Sequence, residues 1–406
     1  METAQETATV AQDEKIPPKI AIFAPYIFET VYGNTRYLGT IFQFMNRSRA
    51  EPILFTQANG GFLREIEALG GQCNILPAPA RLNLYGGVIL AGGIAGKAMT
   101  VGCLAWYTLR IMRRFLSQRI DIVQCHDLRA VLTAGFAAKI LRRKIIWYIK
   151  GELDNPLLDR IGFAMADRIL FQGEANMRRL YPELINKHRH KISILRNGID
   201  LDQVGSAENS DKTELKQELN FEDSKINIGF VGQIMRPKGL DELVSAMAEV
   251  QESHPDAALY IVGDHCTDAF LGYRTELEDK IRTLGLTNVT FTGWRADAHD
   301  IVSLMDIFVL PSHAEGVPKS VIEAMAMGKP VLTTRVGSIP DLIDHDETGL
   351  LVPAKNVKAI AENLERLITD KELRHRLGQN ARALVLNKYS IKENILGLER
   401  LYQDMS

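Results

Sequence analysis

Ile226-Asn227-Ile228-Gly229-Phe230-Val231-Gly232 is a short, mostly apolar run, and Gln233-Ile234-Met235-Arg236-Pro237-Lys238-Gly239-Leu240 carries the chain on through glycine, proline and two cations. A run with so little polar alternation suits a strand covered on both faces, as strands in a parallel sheet are. Residues 233–240 read as a loop and the start of a helix. The whole stretch is one strand–loop–helix unit, and it recurs.

Downstream, apolar runs fall at 258–263, 289–293, 307–310, 330–334 and 349–352; upstream, at 19–25, 51–56, 73–76, 121–126, 144–149, 168–171 and 191–195. Helical sequence, such as 61–69, separates many of them. Two β–α series at this spacing predict an α/β protein with two Rossmann-like, doubly wound parallel-sheet domains facing a central cleft. A chain of 406 residues suits two domains of ordinary size. The expected division is a disordered lead-in at 1–18, a first Rossmann-like domain at 19–205, a second at 206–385, and a C-terminal helix at 386–406. Residues 204–223 are polar and charged, which predicts the linker and a short solvated helix there.

Bulk properties narrow the partners. Lys and Arg number 48 against 50 Asp and Glu, a net charge of −2 that gives no reason to expect nucleic acid. Cys73, Cys103, Cys125 and Cys266 are scattered, which argues against a disulfide framework or zinc knuckle and fits a reducing compartment. No metal site is expected. His188 and His190 lie in a basic patch at a poor ligand spacing and read as solvated. Residues 1–15 have no apolar core of a signal peptide. Residues 84–107 are apolar, with four glycines and Lys97 as the only charge, and lead into Arg110, Arg113 and Arg114. Two readings stand: a loop followed by a half-buried helix, or a membrane-dipping hairpin or surface helix.

Ligands of open parallel sheets bind beyond the carboxyl ends of the strands, so residues just after the strands matter most. In 230–240, glycines let the backbone approach a ligand, Arg236 and Lys238 bring positive charge, and a helix N-terminus attracts an anion. That describes a diphosphate site; the plainer alternative is an ordinary βα-loop with two solvated cations. The stretch is neither a Walker loop nor a dinucleotide glycine fingerprint. After the run 307–310 comes His313-Ala314-Glu315-Gly316-Val317-Pro318-Lys319, then a helical stretch, 320–327, with Glu323 expected in its first turn. A carboxylate can accept hydrogen bonds from vicinal hydroxyls, so Glu315 and Glu323 suit a sugar and a ribose joined by phosphates. The plainer alternative is a capping acid and a surface charge. Glu323, set among Val321, Ile322, Ala324 and Met325, needs a specific partner.

Glu315, Gly316, Pro318 and Glu323, followed by Ala324, Ala326, Gly328, Pro330, Val331, Gly337 and Gly349-Leu350-Leu351-Val352, form a pattern that resembles retaining glycosyltransferase family 4. Further matches are Val231-Gly232 with Lys238-Gly239, Val262-Gly263-Asp264, 195–200 and 121–127. The resemblance implies a GT-B fold, with 19–205 as the acceptor domain, 206–385 as the donor domain and the helix at 386–406 crossing back to the first domain, a nucleotide-diphosphate-sugar donor, retention of anomeric configuration and no cofactor or catalytic metal. It further implies that Glu323 binds the donor ribose, and that Glu315 with the backbone of Gly316, Val317 and Pro318 holds sugar hydroxyls. Lys238, with Gly232, Gln233 and Arg236, would meet the diphosphate. His126 would lie in the cleft near the sugar, and Gly33, in the loop after the first strand, would face the donor phosphates. Two positions depart from the family pattern. Gln233 stands where the family often has arginine, with Arg236 three residues on, and Gly33-Asn34 replaces a Gly-Gly pair; Asn34 is expected to face the acceptor.

The expected function is a metal-independent, retaining transfer of a sugar from a nucleotide sugar to a glycan or lipid-linked acceptor, as in lipopolysaccharide or exopolysaccharide synthesis. A cytoplasmic enzyme, peripheral on the inner face of the cell membrane, is expected from 84–107 and the arginines beyond. The competing readings are a nucleotide-sugar epimerase or hydrolase of the same fold, a non-catalytic subunit that retains the fold, and, more distantly, a dehydrogenase.

Overall fold

The computed structural model describes residues 16–24, 33–83, 93–149, 155–174, 177, 181–196, 198–264 and 271–406. Its first sheet holds β1 (Lys19–Phe23), β2 (Glu51–Thr56), β3 (Gln72–Ile75), β4 (Ile122–Cys125), β5 (Lys144–Ile149), β6 (Arg168–Phe171) and β7 (Ile192–Ile194) in the order β3-β2-β1-β4-β5-β6-β7. The second holds β8 (Ile226–Val231), β9 (Ala257–Val262), β10 (Val289–Gly293), β11 (Ile307–Leu310), β12 (Val331–Thr334) and β13 (Leu350–Val352) in the order β10-β9-β8-β11-β12-β13. Every pairing is parallel. In each sheet the strand order reverses beside the first strand, at β1/β4 and at β8/β11. A doubly wound sheet opens a ligand crevice at such a switch point. The loops after β1, β4, β8 and β11 are therefore the ones that matter.

Apolar side chains cover both faces of the first sheet as two clusters, and a third cluster fills the second domain. Packing in the second sheet is close. A Cβ built on Gly229 would stand 1.7 Å from the Met305 sulfur, so the β8–β11 register depends on the missing side chain.

The final helix, Ile391–Met405, is capped by Ser390 and presents Ile391, Ile395, Leu398, Tyr402 and Met405 along one face. These share a cluster with Ile20, Ile22, Leu38, Ile41 and Leu54 of the first sheet and its helices. Burying such side chains contributes about 1.5–3 kcal/mol each. Glu399, also buried, accepts from the Asn46 amide at 2.7 Å and pairs with Arg49 at 3.5 Å. The helix enters beside Ile199, whose amide donates to Tyr389 O at 2.8 Å while the Ile391 amide donates to Ile199 O at 3.0 Å.

Three sequence expectations need correction. Residues 204–223, expected as the linker and a short solvated helix, form the helices Leu201–Asn209 and Thr213–Glu218, and their Val204, Ala207, Leu215, Leu219 and Phe221 are not solvated but buried in the second core. The boundary expected at 205/206 falls inside the first of these helices. His188 is not solvated: its side chain is buried and its ring packs 5.7 Å from that of Phe163, whereas His190 is exposed as expected. Gly33 and Asn34 begin the helix Gly33–Phe44 rather than lying in a loop. Residues 84–92, part of the apolar segment, lie outside the described residues; the rest starts the helix Gly93–Gln118.

Candidate active site

The geometry centres on the loop after β11. Both β12 threonines reach back to hold it: the Thr333 hydroxyl donates to Leu310 O at 2.6 Å and the Thr334 hydroxyl donates to Ser312 O. The fully buried Ser312 donates its hydroxyl to Glu315 Oε1 at 2.6 Å. Beneath, Gly337 adopts φ 57°, and a Cβ there would stand 1.6 Å from the Glu315 carbonyl oxygen. The Ser338 amide donates to Gly316 O at 3.2 Å. Pro318 then caps the helix Lys319–Ala326, and Val317 packs on the second core. Gly316 faces open space.

The loop after β8 is tied to this one. Its short turn, Arg236–Lys238, ends at Gly239 in the left-handed region, where a Cβ would stand 2.0 Å from Pro311 O. The His313 amide donates to Pro237 O at 2.8 Å. These contacts set Lys238 Nζ 2.7 Å from Glu315 Oε1, with the two side chains 22% and 8% exposed. A charge-assisted bond this sheltered from water holds both groups in place. A cavity of about 420 Å³ opens beside it, between His313–Gly316 and Arg335–Gly337.

The cations and glycines of the β8 loop divide. Arg236 points elsewhere, pairing with Glu276 on the helix Leu271–Thr283 and lying 4.8 Å from the Tyr273 ring centroid. Gly232 is where β9 approaches: a Cβ on Gly263 would stand 1.9 Å from Gly232 O. Gln233 is half-buried beside it.

Glu323 is nearly buried, and its partners are His299 Nε2 at 3.2 Å and Lys319 Nζ at 3.7 Å. It is the fifth residue of the helix, one residue further in than expected. His299 is the second residue of the helix Ala298–Leu304 after β10 and was missed in the sequence, as were Ser312 and Arg335. Only the position of His299 beyond a strand end could have flagged it.

His126 belongs to the first sheet, one residue beyond β4. Its Nε2 lies 2.8 Å from Gln124 Nε2, and its ring meets the edge of Tyr148 at 5.4 Å. Thus Lys238 and Glu315 are paired in the second domain, Glu323 stands on the helix that follows their loop, and His126 stands on the first sheet. Among the described residues, no group of three or more His, Cys, Asp or Glu could hold a metal ion.

The family profile described as "Glycosyl transferases group 1" matches residues 211–384. The Staphylococcus aureus capsular polysaccharide biosynthesis glycosyltransferase CapM is 30% identical over 312 residues, or 72% of this chain and 79% of CapM. The chain belongs to the group 1 glycosyltransferases. The lipopolysaccharide core biosynthesis mannosyltransferase LpsB of Rhizobium meliloti is 28% identical to this glycosyltransferase over 198 residues, 48% of this chain and 56% of LpsB. The fold matches that of Anabaena Alr3699/HepE, crystallised in complex with UDP, at a TM-score of 0.77 and 18% identity, covering 95% of this chain and all of that one. The two sheets of this glycosyltransferase form the GT-B architecture.

Proposed function

We propose that the enzyme transfers a sugar from a UDP sugar to a hydroxyl of a lipid-linked glycan, with retention of configuration and without a catalytic metal, in the synthesis of a cell-surface polysaccharide. The observation that carries this reading is the Lys238–Glu315 pair beside the cavity. An ammonium fixed by a buried carboxylate is preorganised to meet the charge that develops on a leaving diphosphate. Glu315 and Gly316 take the sugar hydroxyls and Glu323 the ribose. Gly232 and Gln233 let the diphosphate approach, Gly33 faces it from the first domain, and Arg236 completes the charge on leaving Glu276. His126 stands near the sugar from the β4 side. The bond between the anomeric carbon and the phosphate oxygen breaks, the acceptor oxygen bonds on the same face, and its proton passes to the leaving phosphate. The UDP complex of HepE supports the choice of nucleotide, and the names of CapM and LpsB support the class of product.

The helix Gly93–Gln118 supports the acceptor class. Met99, Trp106 and Leu109 are more than half exposed on it. It carries Lys97, Arg110, Arg113 and Arg114 and no acidic residue, and Arg110 lies 4.9 Å from the Trp106 ring centroid. An apolar face edged by cations suits the anionic headgroups of a membrane surface. In this reading the enzyme is peripheral on the cytoplasmic face; none of the described helices is long and apolar enough to cross a membrane.

The test is a thermal-shift screen of nucleotide sugars, followed by transfer from the labelled hit to lipid-linked acceptors with chelator present. A retained glycoside is expected. Free sugar, an epimer, an inverted linkage or loss of activity with chelator would each overturn the corresponding part.

A further inference from the structure

Ile122 and Gln124 alternate along β4 and His126 continues the alternation one residue beyond it, so the three share one face of the sheet. Ile122 and Tyr402 belong to the same buried cluster, so the final helix covers that face. Gln124 is fully buried, and a buried amide needs partners for both its ends. It finds them on either side. Tyr402 Oη donates to Gln124 Oε1 at 2.6 Å, and Gln124 Nε2 lies 2.8 Å from His126 Nε2. Burial, and then the neighbouring Tyr37, push the Tyr402 phenol well above its usual range, so it stays protonated and can donate. With its oxygen taken by Tyr402, the amide turns its NH₂ toward the imidazole. His126 Nε2 must then be the acceptor, and the ring proton resides on Nδ1.

We propose that Tyr402 and Gln124 are positioning residues for the transfer reaction: they fix the ring orientation and the tautomer of His126, so the site is complete only with the final helix docked. The inference rests on the reading of His126 as a residue of the donor cleft. The bland alternative is a satisfied core amide without effect on the reaction. The two differ in what removing one hydroxyl does. Tyr402→Phe keeps the ring and its packing but leaves Gln124 free to turn over, so that either end of the amide can face His126.

The experiment uses the full chain labelled with ¹⁵N-histidine, His126 being assigned by its loss in His126→Gln. Wild type is expected to show the neutral Nδ1–H tautomer at His126 and Tyr402→Phe a mixture, with kcat about tenfold lower, as when a partner that orients a functional histidine is lost. Donor KM should stay within about twofold, because the donor's own contacts are untouched. Gln124→Met, which keeps volume without the amide, should match Tyr402→Phe in kcat. An Nε2–H tautomer in wild type, or an unchanged tautomer and kcat in Tyr402→Phe, would overturn the proposal. Full transfer by His126→Ala would instead sink the placement of His126 in the site, whatever the tautomer does in Tyr402→Phe.

Discussion

Gly337 supports the backbone of Glu315 so closely that any Cβ at position 337 would overlap the Glu315 carbonyl oxygen. The glycine also holds a left-handed φ, where a side chain is strained in any case. Gly337→Ala must therefore push Glu315 off Lys238 and Ser312. Stability should fall by about 1–3 kcal/mol, and calorimetry should show donor binding lost. Donor affinity at the wild-type level in Gly337→Ala would contradict the role given to this loop.

Lys238 and Glu315 separate stability from catalysis. Lys238→Met leaves a sheltered carboxylate uncompensated, which should lower stability by about 2 kcal/mol, somewhat less than for a fully buried pair. It should also reduce turnover roughly 100-fold through loss of a preorganised charge. Adding Glu315→Gln removes the stranded charge. The double variant is expected to regain stability in denaturant titration while transfer stays low. Recovery of both would mean that the pair serves the fold alone.

The exposed face of Gly93–Gln118 gives a prediction read by flotation. Trp106→Glu with Leu109→Glu should abolish binding to vesicles containing anionic lipid at low salt. Melting should change less than for a core substitution, since both side chains are more than half exposed. Undiminished flotation of the double variant would remove this helix as the membrane contact.

Asp297 gives a pH dependence. Two bonds from Arg295, at 2.8 and 2.7 Å, hold its pKa below the ordinary value of 3.8, with burial opposing. The folded chain therefore binds fewer protons here than the unfolded one. The stabilisation is complete above the ordinary value and is lost as pH falls through the folded value. The pair is partly exposed, so the amount is under about 1 kcal/mol. Asp297→Asn should be less stable than wild type at pH 7, and the gap should close on acidification below pH 4. Urea titrations across that range measure it.

Much of this was legible because strands of a parallel sheet are covered on both faces. β1, β5, β8 and β11 announce themselves as apolar runs, and the loops after β8 and β11 lead to Lys238, Glu315 and Glu323. Long-range pairing was not legible. Nothing near Arg236 says that Glu276, forty residues on, will take it, and nothing near Glu323 points to His299. Residues 204–223 misled for another reason. Val204, Ala207, Leu215, Leu219 and Phe221 are sparse among charges, and a compositional reading averages away the helical spacing that buries them. Gln124 looked like an ordinary strand residue, because its importance comes from a hydroxyl nearly three hundred residues later.

The place of Ile391–Met405 in the core of the first sheet also sets an order of assembly. Residues 16–196 supply most of that sheet early in synthesis, but the helix that covers one of its faces leaves the ribosome only after the whole second sheet has been made. Until then Ile20, Ile22 and Leu38 lack part of their cover. The half made first is thus the half finished last, and during translation it must wait, open on one side, for a helix that the second half is free to fold without.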